Sequence, residues 1–235
     1  MVALMVLTFI VLFLTVDYLS GSSWRSAPSP VVAAIAADVV LPTGPEERAR
    51  LSELVSVPPD VFLAPGHVWI RLDPTGSIRV GVDRVLLELL GGLERLYPHE
   101  AGSDVRNGGP LIMLRHGQRA LKVRSPVAGR VTRVNTRLAE HPDEVVADPF
   151  GAWLYEIRPD DLGQALKPTV VAEAAHNWMR GEMERLREAL QRPLGDDRAA
   201  LPSLADGGLP ARGFSSHLDD ARWEQLISDY FSRAR

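Results

Sequence analysis

The side chains that could do chemistry are few and widely spaced along this 235-residue chain. Cysteine is absent, which excludes thiolate catalysis, disulfides and cysteine-ligated metals. The six histidines are scattered, and no two of them have the spacing of metal ligands. They are His67, His99, His116, His141, His176 and His217. Neither a Gly-x-Ser-x-Gly nucleophile motif nor a phosphate-binding glycine loop occurs. The sequence therefore predicts no catalytic site, no metal site and no enzymatic activity.

Composition narrows the possible partners. The formal net charge is −4, and the basic residues do not cluster along the sequence. Nucleic acid is therefore excluded as a partner, because phosphate binding depends on concentrated lysine and arginine. Hydrophobic residues make up 46% of the chain, which is enough for at least one packed core.

A strand-rich stretch from Val105 to Leu162 organises the rest of the chain. Apolar and polar residues alternate around Leu121 and Val123, which is the spacing of a half-buried strand. The alternation breaks at Ser125-Pro126 and at Gly129, a turn cluster between two strand-like runs. This pattern predicts a hairpin followed by a further strand.

The motifs of this stretch resemble those of the glycine cleavage system H-protein. They are Ser125-Pro-Val-Ala-Gly129, Asn135 with Leu138, and Asp148-Pro-Phe-Gly151 followed by Trp153 and Leu154. A weaker match lies upstream, where His67 and Trp69 are kept but Val68 replaces an expected acid. The resemblance implies a mainly β fold, a small lipoyl-type sandwich.

The same resemblance identifies one departure from the family. In that family the lipoyl-carrying lysine lies at a hairpin tip, seven residues before the serine of the Ser-Pro turn. Counting back from Ser125 gives Gln118, whose amide cannot be acylated by a lipoyl ligase. Lys122 is the alternative attachment site, but strand geometry places it on the body of the hairpin. The resemblance therefore implies a family member without its cofactor.

The N-terminus carries a candidate membrane anchor. Residues 1–19 are almost wholly apolar, and as a helix they would span ~28 Å, close to a ~30 Å hydrocarbon core. A cleaved signal peptide is the rival interpretation, weakened because no lysine or arginine precedes the apolar run. Arg25 on the C-terminal side predicts an inner-membrane protein with most of its chain in the cytoplasm. Trp24 is predicted either at the lipid headgroups or against a neighbouring protein.

Three further regions follow this anchor. Residues 20–59 are predicted as a linker with a short helix starting at Pro45, and residues 60–166 as the sandwich. Within the sandwich, strands are expected over His67–Leu72 and Ser77–Asp83. A short helix is expected over Asp83–Leu96, closed by Gly91-Gly92. Residues 167–235 are predicted to hold two amphipathic helices, Val170–Arg192 and His217–Arg235.

The C-terminal helices carry the candidate partner contacts. Their apolar faces either pack on the sandwich itself or bind a partner subunit, and the first helix is the better candidate because the family has no counterpart of it. The candidate contact residues, with Trp24, are Trp178, Met179, Leu186, Trp223, Tyr230 and Phe231.

Two functions are compatible with these features. The first is a non-catalytic scaffolding subunit that binds integral membrane proteins, in a bioenergetic complex of photosynthetic or respiratory type by analogy of architecture. The second is a membrane-tethered lipoyl carrier modified at Lys122. A third, an adaptor for a small ligand, has no residue that selects it.

Overall fold

The computed structural model describes residues 44–191, 209–210 and 214–232. The chain divides into two units, residues 1–41 and 42–235, and every described residue belongs to the second. The predicted anchor over residues 1–19 and Trp24 lie outside the described residues. Within the described part of the chain, no helix is long and apolar enough to cross a membrane.

The strands form two antiparallel sheets. Their bounds are β1 (Phe62–Ala64), β2 (Val68–Leu72), β3 (Ile78–Val82), β4 (Arg95–Pro98), β5 (Asp104–Val105), β6 (Pro110–His116), β7 (Arg119–Arg124), β8 (Gly129–Val134), β9 (Tyr155–Pro159) and β10 (Val170–Val171). The larger sheet has seven strands in the order β10-β1-β2-β3-β9-β8-β5, and the smaller has the order β4-β6-β7. Apolar side chains of both sheets join one core, so the predicted β-sandwich with helices is confirmed.

Seven α-helices are described around these sheets. They are α1 (Pro45–Val55), α2 (Arg84–Leu90), α3 (Arg137–Glu140), α4 (Asp143–Ala147), α5 (Leu162–Leu166), α6 (Glu173–Gln191) and α7 (Asp220–Ser232). A 3₁₀ helix over Phe214–His217 precedes α7.

Helix α2 is shorter than the sequence pattern predicted. Asp83 caps its start by accepting a hydrogen bond from the Leu86 N–H at 2.9 Å. Gly91 ends it in the left-handed conformation, with φ of 84°. The predicted closure at Gly91-Gly92 is confirmed, but the predicted bound at Leu96 is wrong, because the chain after Gly91 turns back to form β4 against β6.

The C-terminal helices also differ from their predicted bounds. Val170–Val171 do not open the first helix but form β10, which pairs with β1. The second helix starts at Asp220, where the Asp219 carboxylate accepts a hydrogen bond from the Arg222 N–H at 2.7 Å. Two C-terminal helices are therefore described, each starting later than the apolar periodicity indicated.

Trp69 and Tyr155 fix the core through their polar atoms. The indole N–H of Trp69 donates to the carbonyls of Val82 (3.1 Å) and Pro149 (2.9 Å). The Tyr155 hydroxyl donates to the Leu111 carbonyl at 3.0 Å and accepts from the His99 N–H at 2.9 Å, which links the two sheets. Burial raises the pKa of Tyr155 to about 12.

The contact between Gly81 and Trp69 gives a stability test. A Cβ at Gly81 would lie 2.4 Å from the Trp69 ring, which two hydrogen bonds hold in place. We expect Gly81→Ala to lower the unfolding free energy by about 1–3 kcal/mol in chemical denaturation. The control is Gly181→Ala in α6, where a Cβ has open space and the same change should stabilise by about 0.5–1 kcal/mol. Equal effects would contradict the close contact.

Candidate functional site

The hairpin of β6 and β7 places one side chain at its apex. His116 and Arg119 are paired in register, so the turn consists of Gly117 and Gln118 alone. Gly117 has φ of 56°, a conformation that glycine adopts at little cost in a two-residue hairpin turn. Gln118 is exposed, and within the described part of the chain its amide has no hydrogen-bond partner.

One side of the turn is bonded to the preceding loop. The Gly117 N–H donates to the Glu94 carboxylate at 3.0 Å, and the Arg115 guanidinium donates to the Gly117 carbonyl at 3.0 Å. The His116 imidazole lies 3.9 Å from the same Glu94 carboxylate. These contacts restrict the turn although its residues face solvent.

The other side of the turn is bonded to the C-terminal segment. The buried Arg119 guanidinium donates to the carbonyls of Ser215 and Leu218 and to the Asp220 carboxylate. It also lies over the Trp223 ring, 5.5 Å from its centroid. This role of Arg119 could not be predicted from the sequence, because its partners lie about a hundred positions away and no local pattern marks them.

Neither lysine of the chain lies at the turn. Gln118 offers only an amide there, and an amide nitrogen is not a nucleophile that can be acylated. Lys122 lies within β7, opposite Met113 of β6, with its side chain exposed. The other lysine, Lys167, follows α5 on a different part of the molecule. The apex therefore does not fit a lipoyl group joined through an amine.

Comparison with known proteins identifies the family. The model of the family described as glycine cleavage H-protein matches residues 62–182. The chain belongs to this family. The match ends within α6, beyond the predicted sandwich boundary at residue 166, so the family resemblance includes the start of that helix.

Individual relatives cover the same region. The glycine cleavage system H protein of Methylococcus capsulatus is 33% identical over 109 residues, 46% of this chain and 86% of the relative. That of Halorhodospira halophila is 34% identical over 109 residues, 46% of this chain and 84% of the relative. A crystal structure of the H protein from Mycobacterium marinum covers 52% of this chain and 98% of that chain, with 27% identity and a TM-score of 0.46.

The family motifs build the sandwich. The Ser125 hydroxyl donates to the Val127 carbonyl at 2.8 Å and closes the Ser-Pro turn. The Asp148 carboxylate accepts from the Gly151 N–H at 3.0 Å, and the Asn135 amide donates to the Trp153 carbonyl at 2.9 Å. In this chain the motif side chains therefore hold loops together, a role that does not depend on an attached cofactor.

The predicted partner-contact residues on α6 and α7 lie against the chain's own core. Met179, Leu186, Trp223 and Tyr230 are buried in it, whereas Trp178 and Phe231 are partly buried against it. The expectation of a partner rested on an apolar helix face without a home domain. This structure corrects that premise, because the sandwich and α7 already cover the face.

His67 joins the sandwich to both C-terminal helices through a buried ion cluster. Its Nδ1 lies 2.8 Å from the Asp83 carboxylate at the start of α2, and its Nε2 lies 3.4 Å from the Glu182 carboxylate of α6. Its ring stacks on Tyr230 of α7 at 5.3 Å. The Tyr230 hydroxyl donates to the Glu182 carbonyl, and the Arg185 guanidinium pairs with the Glu182 carboxylate.

The charge of this cluster depends on pH. Burial alone would lower the pKa of His67, but the Asp83 and Glu182 carboxylates raise it to about 9. For Glu182, burial raises the pKa and the hydrogen bond from His67 lowers it, with a net lowering. At neutral pH the cluster therefore holds an imidazolium between two carboxylates. Within the described ranges no group of side chains could hold a metal ion.

The raised pKa of His67 predicts how stability changes with pH. Because the folded-state pKa of about 9 exceeds the ordinary value of 6.5, the stabilisation is present below pH 6.5 and lost as pH rises through 9. We expect the unfolding free energy to fall by about 3 kcal/mol over this window. Denaturation at several pH values should show this fall in unfolding free energy in the control His141→Gln, which replaces an exposed histidine. The fall should be absent in His67→Gln. The same slope in both variants would contradict the assignment.

Proposed function

We propose that this chain is a non-catalytic member of the H-protein family that works by binding a partner through an unmodified β6–β7 hairpin. The observation that carries the proposal is Gln118 at the apex of a two-residue turn. A lipoyl carrier needs a nucleophilic amine at the point where its ligase reaches the hairpin, and the apex offers an amide instead. What the family fold retains here is a protruding, fixed hairpin, and a fold does not dictate one function.

The fixed position of the hairpin supports a binding role. Glu94 restrains one side of the turn and the Arg119 contacts restrain the other, so little conformational freedom remains for a partner to remove. Binding surfaces that are ordered beforehand lose less entropy on association.

The membrane setting is a further part of the proposal. The apolar residues 1–19 would tether the domain beside integral membrane subunits at the cytoplasmic face of the inner membrane. Neither the described residues nor the relatives favour a photosynthetic or respiratory assembly over any other. Extraction in detergent followed by size-exclusion chromatography should show the chain co-migrating with integral membrane proteins, whereas migration as a monomer would contradict the tethered subunit.

A lipoyl carrier modified at Lys122 is the second candidate. Family membership favours it more directly than it favours a scaffold, because the relatives are named as glycine cleavage system H proteins. The exposed side chain of Lys122 supplies a reachable amine. Against it, Lys122 lies within a paired strand, four residues beyond the apex residue Gln118.

A lipoate ligase assay distinguishes the two candidates. We expect the purified wild-type chain to accept no lipoyl group and Gln118→Lys to accept one, because the substitution restores an amine at the apex. The matched control is Ala120→Lys, which places an equally exposed lysine within β7. It should remain unmodified. Mass spectrometry of the tryptic peptides gives the site of any increment.

Two results would contradict the binding proposal. Modification of the wild-type chain that disappears in Lys122→Arg would establish the carrier. Equal modification of Ala120→Lys and Gln118→Lys would show that the ligase does not require a lysine at the apex. Gln118 at the apex would then be no reason to expect an unmodified chain.

A further inference from the structure

The outward face of the small sheet gathers positive charge from all three of its strands. Side chains alternate between the two faces of a strand, and the inward row consists of Leu96, Leu114 and Leu121. The outward residues are Arg95 and Tyr97 of β4, Met113 and Arg115 of β6, and Ala120, Lys122 and Arg124 of β7. We call these seven residues the outer hairpin face. It carries four cations and no carboxylate, on a chain whose net charge is −4.

Two rows of cross-strand neighbours define this face. One row runs from Tyr97 through Met113 to Lys122. Arg95 and Arg115 stand directly opposite each other in the next row, an arrangement in which like charges repel. The two guanidiniums lower the pKa of the Tyr97 hydroxyl, which lies on the same face. An anion bound between Arg95 and Arg115 would reduce their mutual repulsion.

Four of the five arginines in the described strands of the larger sheet pair with carboxylates, and Arg158 is the exception. Arg71 pairs with Asp60, Arg79 and Arg133 pair with Glu156, and Arg130 pairs with Asp104. By contrast, no carboxylate of the described residues lies within 4.0 Å of a cation on the outer hairpin face. Unpaired cations concentrated on one face of an acidic protein are the electrostatic pattern of a docking site for an anionic partner.

The residue types favour a protein as that partner. Three of the four cations are arginines, whose planar guanidiniums bind carboxylates in bidentate fashion. Tyr97, 45% exposed, and the partly exposed Met113 lie beside them. Arginine, tyrosine and methionine are the residues enriched in protein interfaces, whereas lysine, which is depleted there, occurs once.

We propose that the outer hairpin face binds an acidic segment or surface of a partner protein. The partner's carboxylates contact Arg95, Arg115, Lys122 and Arg124, which surround Tyr97. This inference rests on the proposed function, because a lipoyl group on Lys122 would remove one of the four charges. It extends that function by naming the chemistry of the partner and the surface that meets it.

A labelled peptide of eight glutamates serves as the probe, with an alternating glutamate–lysine octapeptide of zero net charge as its control. Fluorescence anisotropy with the full-length chain in non-ionic detergent should show binding of the first peptide that weakens with salt. Arg95→Gln/Arg115→Gln should weaken it about tenfold, as expected for the loss of two ion pairs. Both side chains face outward, so the sandwich should stay folded. Arg115→Gln also removes the hydrogen bond to the Gly117 carbonyl, so Arg95→Gln alone, which keeps that bond, should weaken binding as well.

The matched control variant removes another opposed arginine pair. Arg130→Gln/Arg158→Gln deletes two cross-strand arginines from the larger sheet and changes the net charge equally. It should leave the affinity for the glutamate peptide unchanged. An equal loss in both double variants would attribute binding to overall charge and would overturn the docking surface, as would no binding at all.

Two other occupants would also overturn the proposal. Tighter binding of monomeric dihexanoyl phosphatidylglycerol than of the peptide, lost in Arg95→Gln/Arg115→Gln, would assign the face to lipid headgroups. Self-association abolished by the same variant in sedimentation would assign it to a second copy of the chain. Failure of the peptide to bind an unmodified chain overturns only the docking surface, whereas lipoylation at Lys122 in the ligase assay overturns the proposed function.

Discussion

The antiparallel register between β6 and β7 is the constraint on which the account depends. With His116 opposite Arg119, only Gly117 and Gln118 remain for the turn, so the identity of the apex residue is fixed. The same register sends Leu121 into the core and Lys122 outward. A shift by one residue would exchange these two side chains and would bury a lysine, which the core would not tolerate. The chemistry available at the apex is thus a consequence of core packing.

The C-terminal helices stabilise the hairpin. The His67 cluster holds α6 and α7 on the sandwich, and α7 in turn brings Asp220 and Trp223 to Arg119 beside the apex. A buried ion pair contributes little net stability, but breaking one by removing a partner is costly. The cluster therefore acts mainly to define one arrangement of the helices. Because α7 contacts Arg119, this arrangement of the helices also helps to hold the β6–β7 turn in place. The C-terminal helices thereby contribute to the binding role proposed for the hairpin.

Much of the fold could be predicted from the sequence because its signals are local. The Ser125-Pro turn, the alternation through β7 and the Asp83 cap each depend on neighbours within a few residues. The apex at Gln118 was implied by the family resemblance, through the spacing counted back from Ser125. Gly91-Gly92 marked the end of α2 locally, although the outer bound was set at Leu96 because apolar residues continue beyond the glycines.

What could not be predicted depends on contacts between distant segments. The amphipathic faces of α6 and α7 indicated burial but not the surface that covers them, since periodicity carries no information about the partner. His67 and Glu182 are separated by more than a hundred residues, so the sequence around either residue cannot predict their contact. Similarly, Arg115 and Lys122 are near each other in the sequence, but Arg95 joins them on one cationic face only when β4 pairs with β6.

The central claim is that the hairpin binds without carrying a cofactor. The most direct test is the intact mass of the full-length chain isolated from the cells that make it, where the native lipoylation machinery has had access to it. The account predicts the mass of the unmodified polypeptide, allowing for N-terminal methionine removal. A population heavier by one lipoyl group, located by fragmentation to Lys122 or any other residue, would contradict it.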